Sequence, residues 1–143
     1  MAPLFTLIIS FVLFRVAGFV WPYFADWQHA LRAALGIMFL LTASAHWGKR
    51  RPDLVRMVPG KIGNAGVWVS LTGLAELAIA VGLQVPRFAA VVAVAAIAML
   101  CCLFSANVKA AKEHLTILRR PVLSVAPRLA LQIIFIAALV ASI

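Results

Sequence analysis

The chain has 143 residues, of which 65% are hydrophobic and 12% are charged, and its mean hydropathy is +1.07. Soluble domains are about half apolar and about a quarter charged, so this composition excludes an ordinary globular domain. The net charge of +9 would favour nucleic-acid binding in a soluble protein, but ten of the thirteen Lys and Arg residues lie in two segments, 48–64 and 109–128, next to apolar runs. We therefore predict that the partner is a lipid bilayer, with its anionic headgroups, and not a nucleic acid.

Apolar runs of about 20 residues match the hydrocarbon core of a bilayer. Five runs predict transmembrane helices, at about 4–21, 29–47, 66–84, 88–108 and 128–143. The last run is short, and it crosses only if the helix stands upright or the bilayer thins. Two basic loops, 48–64 and 109–127, separate these runs on one side. The predicted fold is an all-α, polytopic transmembrane helical bundle forming a single membrane domain over 1–143.

The boundary between the first two runs is rich in aromatic residues. Trp21, Tyr23 and Trp27 cluster there, and such aromatic belts are typical of the membrane–water interface. Asp26 lies directly before the second run, where its carboxylate is a suitable helix N-cap. Within the second run, one stripe of the helix contains five residues spaced three and four apart: Arg32, Gly36, Phe39, Ala43 and His46.

The distribution of charge predicts the orientation of the chain. The two basic loops fall on the same side if all five runs cross, whereas the opposite loops hold only Arg87. By the positive-inside rule the basic side is cytoplasmic. The N-terminus is then cytoplasmic, and the C-terminus is periplasmic or external.

Glu76 lies near the middle of the third run, where an ionisable side chain is costly unless it is paired. At about 1.5 Å per residue, Glu76 and Arg15 both lie about 16 Å from the cytoplasmic surface, and Arg32 lies about 5 Å beyond them. We expect Glu76 to pair with Arg32 and with Arg15 in a buried charge cluster. That cluster either fixes the packing of the helices or lines a site for a polar or anionic group.

A second polar layer is expected on the cytoplasmic side. It contains His46, at the end of the second run, Asn107, at the end of the fourth, and Pro59 in the loop between the second and third runs. A histidine there either caps free helix carbonyls or, together with Asn107, binds a quinone carbonyl or transfers protons. His46 lies about 21 Å from Arg32 along their helix, so we treat the two layers as separate.

The two cysteines, Cys101 and Cys102, are adjacent within the fourth apolar run. Neighbouring helical positions point about 100° apart, so a disulfide between them would be strained. The chain has neither a Cys-x-x-Cys motif nor four-ligand zinc spacing. We predict no metal site and interpret the cysteines as apolar packing residues, with a redox role as the alternative.

Several short motifs occur in order along the helices. They are Arg32-x-x-Leu35-Gly36-x-x-Phe39, Ala45-His46-Trp47, Met57-Val58-Pro59, Thr72-Gly73-x-x-Glu76 and Phe104-Ser105-Ala106-Asn107-Val108. In this arrangement the chain resembles the DoxX-like family of small integral membrane proteins, from about Leu31 to the C-terminus. Two departures are Trp47, where the family usually has Phe, and Ser105, where it usually has Pro.

The resemblance implies a four-helix core, with the first run as one extra N-terminal transmembrane helix, in the inner (plasma) membrane of a bacterium. It also implies a quinone- or thiol-redox-linked membrane component that works with a membrane or soluble redox partner protein. A quinone is the candidate cofactor. The alternative function is a non-catalytic accessory subunit or assembly chaperone of a membrane complex. Whether the chain is an enzyme stays open at this point.

Overall fold

The computed structural model describes residues 1–60, 63–118 and 120–143, with Arg120 described by its backbone. Over these ranges the α-helices are α1 (Ala2–Ala17), α2 (Trp27–Ser44), α3 (Arg51–Met57), α4 (Ala65–Gly82), α5 (Ala89–Lys112) and α6 (Val125–Ala141). A 3-10 turn, Pro22–Ala25, joins α1 to α2. Two short antiparallel strands, β1 (Thr116–Ile117) and β2 (Arg120–Pro121), form a hairpin before α6. The prediction of an all-α helical bundle is confirmed.

The five long helices lie on the five apolar runs, but their ends differ from the predicted ones. The first helix ends at Ala17, four residues early, because the chain turns back at Gly18. A Cβ at Gly18 would lie 2.7 Å from the carbonyl oxygen of Phe24, so this turn requires a glycine. The short helix α3 forms inside the predicted loop 48–64. The parts of the two predicted loops at 61–62 and 119 lie outside the described residues.

Helix α2 is the central helix of the bundle and contacts α1, α4 and α6. Asp26 caps its N-terminus as predicted, since its Oδ1 accepts a hydrogen bond from Gln28 N at 2.8 Å. Four members of the predicted stripe are buried, namely Gly36, Phe39, Ala43 and His46. The 3.6-residue period therefore identifies the face of α2 that packs against the other helices.

Helices α4 and α5 are long and apolar enough to cross a membrane. Only 28% of the apolar window of α4 and 17% of that of α5 is buried inside the bundle. Large apolar side chains such as Leu74, Val81 and Val91 are more than half exposed. A contiguous apolar surface of this kind is unusual for a protein surrounded by water and is typical of contact with lipid or a partner.

The hydrogen bonds between elements define two ends of the bundle. At one end, Lys109 Nζ donates to the carbonyl oxygens of Arg56 (2.9 Å) and Val58 (2.8 Å), which joins α5 to α3. At the other end, Gln28 Nε2 donates to the carbonyl oxygen of Ile143 at 2.8 Å, which joins the start of α2 to the end of α6. The described parts of the two basic segments therefore lie together at the first end.

Asp53 connects α3 to the hairpin at this basic end. Its Oδ2 accepts a hydrogen bond from Leu118 N at 2.9 Å, and its Oδ1 pairs with the guanidinium of Arg56. The hydrogen bond from Leu118 N, with help from Arg56, holds the pKa of Asp53 below its ordinary value.

We expect Asp53→Ala to speed hydrogen exchange of the Leu118 amide severalfold, because the amide loses its acceptor. In the unchanged protein the pKa of Asp53 is lowered by its contact with Leu118 N. This contact therefore contributes its full stability at pH values above the ordinary carboxyl pKa of about 3.9. The contact is lost as the pH falls through the lower value of the folded state. Exchange measured by mass spectrometry from pH 6 to pH 3 tests both statements. Glu113→Ala is the control, and equal exchange in the two variants would contradict the assignment.

Candidate functional site: a buried histidine–glutamate pair in an apolar cavity

Helix α4 presents Glu76 to the interior of the bundle. The helix begins at Ala65, where Asn64 Oδ1 caps the amides of Gly66 and Val67. Side chains on a helix tilt towards its N-terminus, so Glu76 reaches back towards the basic end of the bundle. The residue is only 7% exposed, and a carboxylate at such a site needs a partner.

His46 is that partner, and it follows α2 by two residues. Its Nδ1 lies 2.6 Å from the carbonyl oxygen of Val69 and 3.3 Å from Thr72 Oγ1. Its Nε2 lies 3.5 Å from Glu76 Oε1. The Glu76 and His46 side chains are 9% and 11% exposed, so the pair is almost completely shielded from solvent.

Gly73 allows His46 to lie this close to α4. A Cβ at Gly73 would lie 2.7 Å from His46 Cβ, 2.8 Å from His46 Cγ and 2.8 Å from Trp47 Cη2. Real Cβ atoms do not make contacts that short, so any larger residue would displace the imidazole. In the Thr72-Gly73-x-x-Glu76 motif, Gly73 therefore leaves the space that the imidazole of His46 occupies. Glu76, one turn later, supplies the carboxylate that contacts this imidazole.

Arg51 fixes the backbone that carries His46. Its Nη1 donates to the carbonyl oxygen of His46 at 2.7 Å. Its Nη2 donates to the carbonyl oxygen of Gly66 and to Ser70 Oγ, each at 3.0 Å. One guanidinium thus connects the turn after α2 to the first turns of α4. His46 is held through both its ring and its backbone carbonyl.

The surroundings of His46 determine where its protons lie. A carbonyl oxygen accepts hydrogen bonds and cannot donate them, so the 2.6 Å contact with Val69 requires a proton on Nδ1. Nε2 is then the ring nitrogen that faces Glu76 Oε1, at 3.5 Å.

The other carboxylate oxygen, Glu76 Oε2, is buried and has no hydrogen-bond partner among the residues that the structure describes. Buried polar atoms are nearly always satisfied, and each exception needs an explanation. Glu76 and His46 both line a cavity with a volume of about 760 Å³. Oε2 itself is covered by protein atoms, so Glu76 borders the cavity with its other atoms.

The cavity lies between the basic end of α4 and the facing parts of α5 and α6. Its wall is mainly apolar and includes Met99, Leu100, Leu131 and Phe135. Sites for small organic molecules typically have volumes of about 300–1,000 Å³ and an apolar wall with a few polar groups. The cavity fits that description.

The predicted cytoplasmic-side residues His46, Asn107 and Pro59 all line this cavity. Asn107 Oδ1 accepts a hydrogen bond from Arg128 Nη1 at 2.5 Å, which fixes the orientation of the Asn107 amide. Cys102 also lines the cavity, and it is exposed, as is Cys101. The described residues contain no group of three or more His, Cys, Asp or Glu side chains that could hold a metal ion.

The predicted pairing of Glu76 with Arg32 and Arg15 is wrong. Arg32 Nε donates to the carbonyl oxygen of Ser142 at 2.7 Å, at the end of α6. Arg15 Nη1 donates to the carbonyl oxygens of Phe24 (3.3 Å) and Ala25 (2.6 Å), at the end of the 3-10 turn. Both guanidinium groups satisfy main-chain carbonyls where helices end, which is a common role for a basic side chain.

The register between α2 and α4 explains the error. The carbonyl oxygen of Arg32 accepts a hydrogen bond from Gln84 Nε2 at 3.0 Å, so Arg32 lies level with Gln84. Eight residues separate Gln84 from Glu76, which is about 12 Å along the helix. Counting depth from the helix ends places them only about 5 Å apart, because that count assumes that the basic ends of α2 and α4 are level. In the structure the turn after α2 lies beside Val69, four residues into α4. Glu76 therefore belongs to the layer of His46.

Three residues of the site were not identified from the sequence as functional. They are Arg51, in the basic segment 48–64, Arg128, in the first turn of α6, and Gly73, in the Thr72-Gly73-x-x-Glu76 motif. A signal existed for Gly73, since it lies three residues before Glu76 on the same face of α4. No local pattern distinguishes Arg51 from Arg50, because its role depends on tertiary contacts.

The comparison with protein families matches residues 35–142 to a family described as "Domain of unknown function (DUF8561)". The match covers more than half of the chain, so the chain belongs to that family. The matched range contains His46, Glu76, Asn107 and Arg128, and it excludes Arg15 and Arg32. No curated protein and no solved structure matches the chain.

We expect Gly73→Ala to lower the free energy of unfolding by about 1–3 kcal/mol, the usual effect of overpacking. The added methyl group would push the imidazole of His46 away from Val69 and Glu76. The measurement is the thermal unfolding midpoint of the purified protein in mild detergent. Gly60→Ala is the matched control, since a Cβ at Gly60 meets no atom of the described residues within 4 Å. Equal midpoints for the two variants would show that His46 does not pack against Gly73.

Proposed function

We propose that this chain is a multi-pass protein of the bacterial inner membrane in which α1, α2, α4, α5 and α6 cross the bilayer. The exposed apolar faces of these helices and the location of the basic segments at one end support the proposal. By the positive-inside rule that end faces the cytoplasm. The start of α1 is then cytoplasmic, the end of α6 is external, and the cavity opens in the cytoplasmic half of the bundle.

Within that membrane protein, the cavity binds a quinone, and the chain acts as the quinone-binding component of a redox system with a partner enzyme. The observation that carries this proposal is an apolar cavity of about 760 Å³ whose wall includes the polar side chains of His46, Glu76 and Asn107. A quinone has an apolar ring and tail with two oxygen atoms, and the wall of the cavity offers the same combination of surfaces. The DoxX-like resemblance points to the same class of ligand.

The chain supplies proton chemistry at this site. His46 Nε2 faces Glu76 Oε1 at 3.5 Å, so a proton taken up by the pair can pass between the two side chains, and the Nδ1 contact with Val69 keeps the imidazole in place. The amide of Asn107 adds a second hydrogen-bonding group to the wall. A bound quinone would supply the two-electron redox chemistry, and the partner enzyme would supply or remove the electrons. In this role the chain holds the ring and exchanges protons with it.

Two cysteines allow a direct binding test. Cys102 lines the cavity, whereas Cys101 is its neighbour on the adjacent face of α5. The Cys101→Ser and Cys102→Ser variants each carry one cysteine. Decylubiquinone is the probe, because its fully substituted ring does not add to thiols.

We expect decylubiquinone to slow maleimide labelling of Cys102 severalfold in the Cys101→Ser protein. The labelling of Cys101 in the Cys102→Ser protein is the control and is expected to be unchanged. Equal labelling of Cys102 with and without the probe would contradict quinone binding. It would favour the accessory-subunit or chaperone alternative, which requires no ligand in the cavity.

A further inference from the structure

We propose that the cavity opens sideways into the bilayer between α4 and α5, and that the tail of a membrane-dissolved quinone passes through this window. Trp68 of α4 forms one edge of the window, and Cys102 and Ser105 of α5 form the other. This inference rests on the proposed function and specifies the ligand as a long-tailed quinone that enters from the cytoplasmic leaflet. It is carried by the packing of the helices, the exposure of the edge residues and the size of the cavity.

Helices α4 and α5 touch where their hairpin turns. A Cβ at Gly82 would lie 2.9 Å from Val92 Cγ2, so a glycine at position 82 allows the two helices to approach closely there. Helix α6 meets α2 at the same end, since Arg32 Nε donates to the carbonyl oxygen of Ser142 at 2.7 Å. The α5–α6 pair therefore joins the rest of the bundle at the end opposite the basic segments.

The same helices stand apart towards the basic end, where α4 and α5 both line the cavity of about 760 Å³. Helix α3 lies across the basic end of this wedge-shaped space, since Lys109 Nζ of α5 donates to the carbonyl oxygens of Arg56 and Val58. Ile117 and Pro121 of the hairpin also line the cavity there. Because these elements cover the basic end, the sides of the wedge are the routes that lead into the cavity.

The edge of the window on α4 follows from the helical period. Successive residues lie about 100° apart around a helix, so Val69, Thr72, Trp68 and Leu71 follow one another in that order around α4. Val69 faces α2, since its carbonyl oxygen contacts His46. Thr72 and Trp68 line the cavity, and Leu71 is 50% exposed. Trp68, which is 45% exposed, therefore lies where the cavity wall becomes the outer surface.

The edge on α5 is located in the same way. Asn107 accepts a hydrogen bond from Arg128 Nη1, so its side of α5 faces α6. Cys102 and Ser105 lie about 140° or more from Asn107 around the helix. Both residues line the cavity and both are exposed. They therefore form the edge of the cavity wall that faces away from α6, towards α4.

The size of the cavity requires such an opening for a membrane quinone. Cavities of about 300–1,000 Å³ hold drug-sized molecules, so a cavity of about 760 Å³ accommodates the quinone ring and the start of its tail. The rest of a long isoprenoid tail lies outside the cavity. Beyond the window it meets the acyl chains of the leaflet and the exposed side chains of Leu71 and Leu74 on α4. The tail is therefore never transferred into water, which would be unfavourable.

Helix α1 offers another route, because it packs against α2 and borders the cavity with Met1 and Pro3. The test therefore has to locate the tail. The probe is a decylubiquinone analogue that carries a diazirine at the end of its tail, and the protein is placed in lipid nanodiscs. After irradiation with and without excess decylubiquinone, mass spectrometry identifies the labelled peptides. The readout is the labelling that decylubiquinone displaces.

We expect the displaceable labelling to fall on the two edges of the window, around Trp68 and around Cys102 and Ser105. Displaceable labelling near Met1 and Pro3, or on α3 and the hairpin, would overturn the inference and leave quinone binding intact. The absence of displaceable labelling at every position would overturn both.

A larger side chain at the edge tests the window itself. Ser105 Oγ donates to the carbonyl oxygen of Cys102 at 3.0 Å within its own helix, so Ser105→Trp adds bulk to the edge and breaks no hydrogen bond between helices. We expect this variant to reduce the displaceable labelling severalfold. Val91→Trp, at a position that is 71% exposed near the opposite end of α5, is the matched control and should label as the unchanged protein does. Equal labelling in the two variants would overturn the inference, and if Ser105→Trp fails to fold, the labelled positions in the unchanged protein decide it.

Discussion

The arrangement of the bundle depends on a carboxyl group that is surrounded by apolar helices and is paired with one imidazole. A buried charge without a partner is strongly unfavourable, so Glu76 limits how α2 and α4 can pack. The pairing needs His46 level with Val69, which in turn needs a glycine at position 73 and Arg51 to hold the turn after α2. Each of these contacts positions the pair, and the pair in turn lines the cavity that carries the functional proposal.

The arginines near the opposite end have a different role. Arg32 and Arg15 donate to main-chain carbonyl groups at the end of α6 and of the 3-10 turn. In an apolar environment the unsatisfied carbonyls of a helix end need donors as much as a carboxylate needs a partner. An arginine on a long side chain can therefore bind backbone carbonyl groups instead of the carboxylate that was expected to be its partner. The cost of leaving carbonyls unpaired explains why these arginines lie away from Glu76.

Much of the fold could be predicted from the sequence, because apolar periodicity and helix capping act locally. The five long helices, the Asp26 cap and the buried stripe of α2 follow from residue spacing. The partner of Glu76 could not be predicted by the same means, because it depends on the relative register of two helices. A stagger of a few residues between two neighbouring helices changes their relative depth by about 1.5 Å per residue. His46, Asn107 and Pro59 do line one cavity, although Asn107 lies five residues before the end of α5, whereas His46 and Pro59 follow helix ends. Glu76 joins them through the tilt of its side chain and the groove at Gly73.

The most direct test of the central interaction is a double-mutant cycle between His46 and Glu76, measured as unfolding free energy in detergent. Removing one member of a buried pair leaves the other unsatisfied, which typically costs about 3–5 kcal/mol. His46→Leu and Glu76→Leu should each destabilise the protein, and the double variant should be at least about 1 kcal/mol more stable than the sum of the single effects implies. Single effects that add to within about 0.5 kcal/mol would contradict the pairing of these two residues.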